Sequence, residues 1–127
     1  MTRPVSAAFP GTADQVAVAR GWLAACLGPG HGAADDAVLL LSEVFGNSVL
    51  YGSPNGELVE VGVELAGRKV TVTVTDSGGG GDPVSGSASD DAAEGGRGLF
   101  IVEALATDWG FRRLADQRLQ VTYTVTG

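Results

Sequence analysis

The sequence has one lysine (Lys69), one histidine (His31) and one cysteine (Cys26). Each scarcity excludes a class of chemistry. A single cysteine forms no internal disulfide, which sets the expectation of a reducing, cytoplasmic setting. A single histidine rules out a multi-histidine zinc site. Nothing near it, in Gly28-Pro29-Gly30-His31-Gly32, would orient it for a Ser-His-Asp triad. There is no Gly-Lys-Ser/Thr run, so a P-loop is excluded. No G-x-G-x-x-G opens a helix inside a β-α-β unit, which sets aside a dinucleotide fold. Eight basic residues face fifteen acidic ones, a formal charge of −7. That leaves no basic patch for gripping nucleic acid by its phosphates, although it suits a basic protein partner. The apolar stretch at residues 37–41 is far too short to cross a bilayer. Met1-Thr2-Arg3-Pro4 lacks the apolar run of a signal peptide.

What is present suffices for a core. With 127 residues and 44% hydrophobic content, the chain reads as one domain over 1–127. A first strand is expected at residues 5–9. Thr12-Ala13-Asp14-Gln15 has the form of a capping box opening a helix that ends near Leu27, with Val16, Ala19, Leu23 and Cys26 or Leu27 as its apolar stripe. Asp35 and Asp36 mark the first turn of a second helix running to about Tyr51. Residues 58–65 and 69–75 alternate valine with polar residues at period two and flank the tight turn Gly67-Arg68, a hairpin with one buried face. After a long glycine-, serine- and aspartate-rich stretch over residues 76–98, a third helix is expected at 99–106. A last hairpin, 107–113 with 118–125, turns at Ala115-Asp116-Gln117. Hairpin-joined strands with segregated helices indicate an α+β two-layer sandwich: a mixed, mostly antiparallel sheet covered on one face by helices.

Three segments carry chemistry. Glu43 and Asn47 stand four apart on the second helix, hence on one face, where a carboxylate base and an amide metal ligand would be presented together. Taken alone, that periodicity favours a plain solvated face, since Asp35, Asp36, Ser42 and Gly46 share the arc, with Leu39 and Leu50 close by. The glycine-rich stretch tilts the balance. The 29 residues after Gly98 cannot build a second core, so residues 76–98 form a loop inside one domain. Loops of that length in compact domains are usually binding loops or lids. This one starts at a strand end, with Asp76-Ser77-Gly78-Gly79-Gly80, and closes on a helix start, with Gly95-Gly96-Arg97-Gly98-Leu99. Its glycines would let backbone N–H groups approach a phosphate.

At these residues the chain resembles the GHKL (histidine kinase-like) ATPase superfamily, and within it the small bacterial anti-sigma factor serine/threonine kinases. E-x-x-x-N on a helix matches Glu43 to Asn47. D-x-G-x-G after a strand matches Asp76, Gly78 and Gly80. G-x-G-L opening a helix matches Gly96, Arg97, Gly98 and Leu99, and the pair Trp109-Gly110 is also similar. The resemblance implies a Bergerat-type ATP-binding fold, with ATP and Mg²⁺ as cofactors and residues 76–98 as a lid. It implies Glu43 as general base, Asn47 as Mg²⁺ ligand, Asp76 as adenine acceptor, and the glycines, Arg97 and Leu99 around base and phosphates. As partners it implies a sigma factor and an anti-sigma factor antagonist, without membrane or nucleic-acid contact, and it admits a homodimer. The sequence departs from the pattern at three places. Gln120 stands where the last strand often carries a threonine, with Thr122 in that role if the register differs. Tyr51 replaces a common histidine, and Gly46 precedes the metal ligand.

Overall fold

The structure, a computed structural model, describes residues 4–79, 83–84, 97–98 and 104–127. Its elements are β1 (Val5–Pro10), α1 (Gln15–Leu27), α2 (Ala34–Asn47), a π-helical turn (Ser48–Gly52), β2 (Leu58–Ala66), β3 (Lys69–Asp76), the two-residue strands β4 (Pro83–Val84) and β5 (Arg97–Gly98), β6 (Asp108–Arg113) and β7 (Leu119–Thr126). Five strands form one antiparallel sheet in the order β1-β2-β3-β7-β6, while β4 and β5 pair in parallel. The α+β sandwich expected from alternation is therefore the fold. The expected third helix lies outside the described residues apart from its last turn, where residues 104 and 105 are helical.

Period-two alternation sorts the sheet into two faces. Val59, Val61 and Val63 of β2, Val70, Val72 and Val74 of β3, and Leu119, Val121, Tyr123 and Val125 of β7 are all buried. They pack against Ala19, Leu23 and Leu27 of α1 and Leu40, Leu41, Val44 and Phe45 of α2. Phe9 ties β1 to this core through edge-to-face contacts with Trp22 and Phe45, centroids 5.8 and 6.1 Å apart. The opposite face carries no helix among the described residues. It presents rows of polar residues and glycines: Ser6, Gly62, Thr73, Thr122 and Gly110 in one, Glu60, Thr75, Gln120 and Arg112 in the next.

Two local expectations change. Thr12 does not cap α1, since its hydroxyl donates to the Asp14 carboxylate and the N-terminus of α1 has no side-chain cap. The helix starts at Gln15, with Asp14 rather than Thr12 at the N-cap position, and the Thr12 bond lowers the Asp14 pKa. The second helix does reach the expected end, but its last turn widens to a π turn, closed by the Ser53 N–H donating to the Ser48 carbonyl at 2.7 Å. His31 serves the structure by joining two turns. Its Nδ1 accepts from the Ala33 N–H at 3.1 Å, and its Nε2 donates to the Gly67 carbonyl at 3.2 Å.

Tyr123 joins the layers directly, its buried hydroxyl donating to the Ala37 carbonyl at 2.8 Å. Burial raises its phenol pKa well above the ordinary value. Tyr123→Phe is therefore expected to lower stability by about 0.5–1.5 kcal/mol in urea unfolding at neutral pH. A phenol pKa higher in the folded chain gives stability that is complete below the unfolded value and falls as pH rises beyond about 10. The wild type should lose stability in that range, and the phenylalanine variant should lose less.

Candidate functional site

The site lies where the C-terminal end of α2 meets the C-terminal end of β3. Asp76 occupies the last position of β3 on the helix-covered face, directly across from Leu119 of β7. Only 2% of it is exposed, so its carboxylate must be satisfied by nearby groups. One partner is the Gly78 N–H, which donates to Oδ1 at 2.8 Å and shapes the chain into an Asx turn. Gly78 itself has φ +90°, a conformation that favours glycine.

The π turn brings Gly52 against this carboxylate. A Cβ on Gly52 would fall 2.0 Å from Asp76 Oδ2, so only a glycine fits. The Gly52 carbonyl accepts two bonds from the far side of the junction, from the Ser77 hydroxyl at 2.6 Å and the Gly79 N–H at 3.2 Å. A Cβ on Gly79 would meet the Tyr51 carbonyl at 2.9 Å, and one on Gly78 the Gln117 carbonyl at 2.1 Å. The end of α2, the Asp76 turn and the β6–β7 turn thus converge closely, with a glycine at each contact.

Glu43 and Asn47 sit one turn apart on the last turns of α2, both half-buried, and the chain runs on from Asn47 into the turn that ends at Gly52. The plain solvated face is thereby qualified: Leu39 and Leu50 are exposed, while Glu43 and Asn47 are not fully so. Gly78 joins Asp76 as expected. Arg97 and Gly98 form β5, paired with Pro83 and Val84. Gly80, Gly96 and Leu99, with most of the lid segment at 76–98, lie outside the described residues. The last strand corrects the expectation for Gln120 and Thr122. Register places both on the open face, where Gln120 Nε2 donates to Thr75 Oγ1 at 3.3 Å and Gln120 Oε1 accepts from Arg112 Nε at 3.0 Å. The residue level with Asp76 is the fully buried Leu119.

This donor set fits an adenine nucleotide with a divalent cation. A carboxylate fixed at a strand end is an acceptor of the kind that an exocyclic amine of a base requires. The neutral oxygen of Asn47 suits a hard cation that keeps most of its own water and phosphate ligands. Among the described residues no cluster of three histidine, cysteine or acidic side chains forms a metal cage. In the sequence Gly52 reads as a helix stop, and its contact with Asp76 goes unseen. The only hint is its place at the end of the helix that bears Asn47.

Two glycines six residues apart then make opposite predictions. Gly52→Ala is expected to cost about 1–3 kcal/mol of stability, because carboxylate or turn must shift. Gly46→Ala, whose Cβ meets nothing within 4 Å in the last turn of α2, is expected to add about 0.5–1 kcal/mol. Chemical denaturation of both variants checks this.

Comparisons with known proteins agree with the fold. No curated protein gives a significant match to the sequence. The fold is similar to the crystal structure of the RsbU and RsbW domains of Rv1364c from Mycobacterium tuberculosis. The TM-score is 0.71 at 22% identity, over 98% of this chain and 32% of that one. This chain therefore spans about a third of the length of the chain in that structure. Among the described residues no helix is long and apolar enough to cross a membrane. A profile of the histidine kinase-like ATPase domain matches residues 9–125, nearly the whole sequence, and the chain belongs to that family.

Proposed function

We propose that this domain binds ATP with Mg²⁺ and phosphorylates a serine or threonine of an antagonist protein, and that it sequesters a sigma factor as its second partner, in the cytoplasm. The observation that carries the nucleotide part is the junction of Gly52 with the buried Asp76 at the end of the helix bearing Glu43 and Asn47. Family membership and the similarity to a structure containing an RsbW domain support the regulatory part. A chain of charge −7 favours basic surfaces on its protein partners.

The surroundings of each residue suit the role proposed for it. Asp76, fixed by the Gly78 N–H, accepts a hydrogen bond from the adenine amino group. Gly52, Gly78 and Gly79 let main chain close tightly around Asp76, and the base is assigned to the backbone at the edge of that junction. Asn47 supplies an oxygen to Mg²⁺. Glu43, one turn earlier, takes the proton from the acceptor hydroxyl. The Gly96-Arg97-Gly98-Leu99 segment, with Gly80, is assigned to the phosphates and ribose. Bound ATP–Mg²⁺ would supply the phosphoryl group, and such transfer asks the protein mainly for position and charge neutralisation. A second reading, regulation of a partner without catalysis, draws on the apolar Leu119 level with Asp76, where a hydroxyl would have given the base region another polar contact.

Asp76→Asn is expected to weaken ATP binding by about 1.5–3 kcal/mol, roughly ten- to hundredfold in Kd. Calorimetry tests this, and absence of nucleotide binding by the wild type would contradict the proposal. Glu43→Gln should keep ATP affinity and lose phosphotransfer by about 10²–10⁴-fold, whereas Asn47→Ala should weaken ATP–Mg²⁺ binding itself. Transfer of labelled phosphate to the antagonist reads both. A wild type that binds ATP and sigma factor yet transfers nothing favours the second reading.

A further inference from the structure

Arg113 is the last residue of β6. It pairs with Leu119, which pairs in turn with Asp76, so the three occupy one row across β6, β7 and β3 on the helix-covered face. Its Nη1 donates to two main-chain carbonyls, Gly78 at 2.7 Å and Gln117 at 3.2 Å. Those carbonyls come from different turns. Gly78 follows β3 with φ +90°, and Gln117 lies in the β6–β7 turn with φ +73°, the one positive-φ non-glycine among the described residues. The two turns are in contact, since a Cβ on Gly78 would lie 2.1 Å from the Gln117 carbonyl oxygen. Both carbonyl oxygens accept from the same nitrogen, and a guanidinium is a charged, planar donor suited to that place.

The peptide unit joining Gly78 to Gly79 is therefore held at both ends. Its oxygen accepts from Arg113, and its N–H donates to the Gly52 carbonyl at 3.2 Å. A cation at the oxygen polarises the unit and strengthens the bond made by its N–H. On the near side, the Gly78 N–H holds the Asp76 carboxylate.

We propose that Arg113 is a positioning residue of the nucleotide site: by clamping the Gly78–Gly79 peptide against the β6–β7 turn, it holds Gly52 and Asp76 in the arrangement that receives the base. This rests on the nucleotide reading above. It adds that the distal β6–β7 hairpin, through one guanidinium, sets base affinity.

The test compares wild type with Arg113→Ala, Arg113→Lys and Gln117→Gly. Hydrogen exchange at the Gly79 amide is followed in the protein without nucleotide. Affinities for ATP–Mg²⁺ and for tripolyphosphate–Mg²⁺, which lacks a base, are measured alongside. The expected results for Arg113→Ala are faster Gly79 exchange, roughly tenfold weaker ATP binding and unchanged tripolyphosphate binding. Arg113→Lys should recover part of the loss, because an ammonium is a single point donor without the guanidinium's fork. Gln117→Gly keeps the carbonyl and should bind ATP as the wild type does. Wild-type Gly79 exchange and ATP affinity in both Arg113 variants would overturn the proposal. Equal loss for ATP and tripolyphosphate would also overturn it, making Arg113 a phosphate-binding cation. If Arg113→Ala fails to fold, the lysine variant alone decides on the same two readouts. A wild type that binds no ATP refutes the nucleotide reading, and Gly79 exchange then shows separately whether the clamp exists.

Discussion

The site depends on one close approach: the backbone of Gly52 lies against the carboxylate of Asp76, in a space that a Cβ would fill. A carboxylate so little exposed is tolerated only where polar groups surround it. Here one of them is the Gly78 N–H, and just beyond the carboxylate the Gly52 carbonyl takes bonds from Ser77 and Gly79. The π turn makes the approach geometrically available. By adding a wider turn after Asn47, it carries the chain from the helix layer down to the strand end. The widened turn is thus part of the site, and the helix that bears Glu43 and Asn47 is tied through it to the turn that bears Asp76.

Sheet register does the remaining placement. Asp76 continues the buried row of Val70, Val72 and Val74, so it points toward the helices although it is polar. Its neighbours in that row, Leu119 and Arg113, define the site's third wall. A shift of one residue would send all three to the open face, where Thr75, Gln120 and Arg112 make their own polar contacts. A well-filled core behind the row, anchored by the Tyr123 hydroxyl on Ala37, resists such a shift.

Much of this fold is legible in the sequence, because period-two valines can serve only a sheet with one buried face. The alternation in residues 58–65 and 69–75 anticipates β2 and β3 to within a residue, and the i, i+4 pair Glu43 and Asn47 does share one helix. Less legible is whatever depends on atoms brought together from far along the chain. Gly52 and Asp76 are 24 positions apart, and Arg113 and Gly78 are 35 apart. No local pattern reports such contacts. The apparent capping box fails for a local reason: the helix starts at Gln15, with Asp14 at the N-cap position, and the Thr12 hydroxyl donates to the Asp14 carboxylate. Gln120 is misjudged from sequence because likeness to a family pattern does not fix the phase of a strand, whereas pairing with Thr75 does.

The most direct test of the nucleotide site is an amide NMR titration of the protein with ATP–Mg²⁺. The largest shifts are expected on Asn47, Gly52, Gly78 and Gly79, from segments distant in sequence, while Thr73, Thr122 and Gly110 on the open face stay unmoved. Shifts centred on the open face, or none at all at saturating nucleotide, would contradict a site built on the Gly52–Asp76 junction.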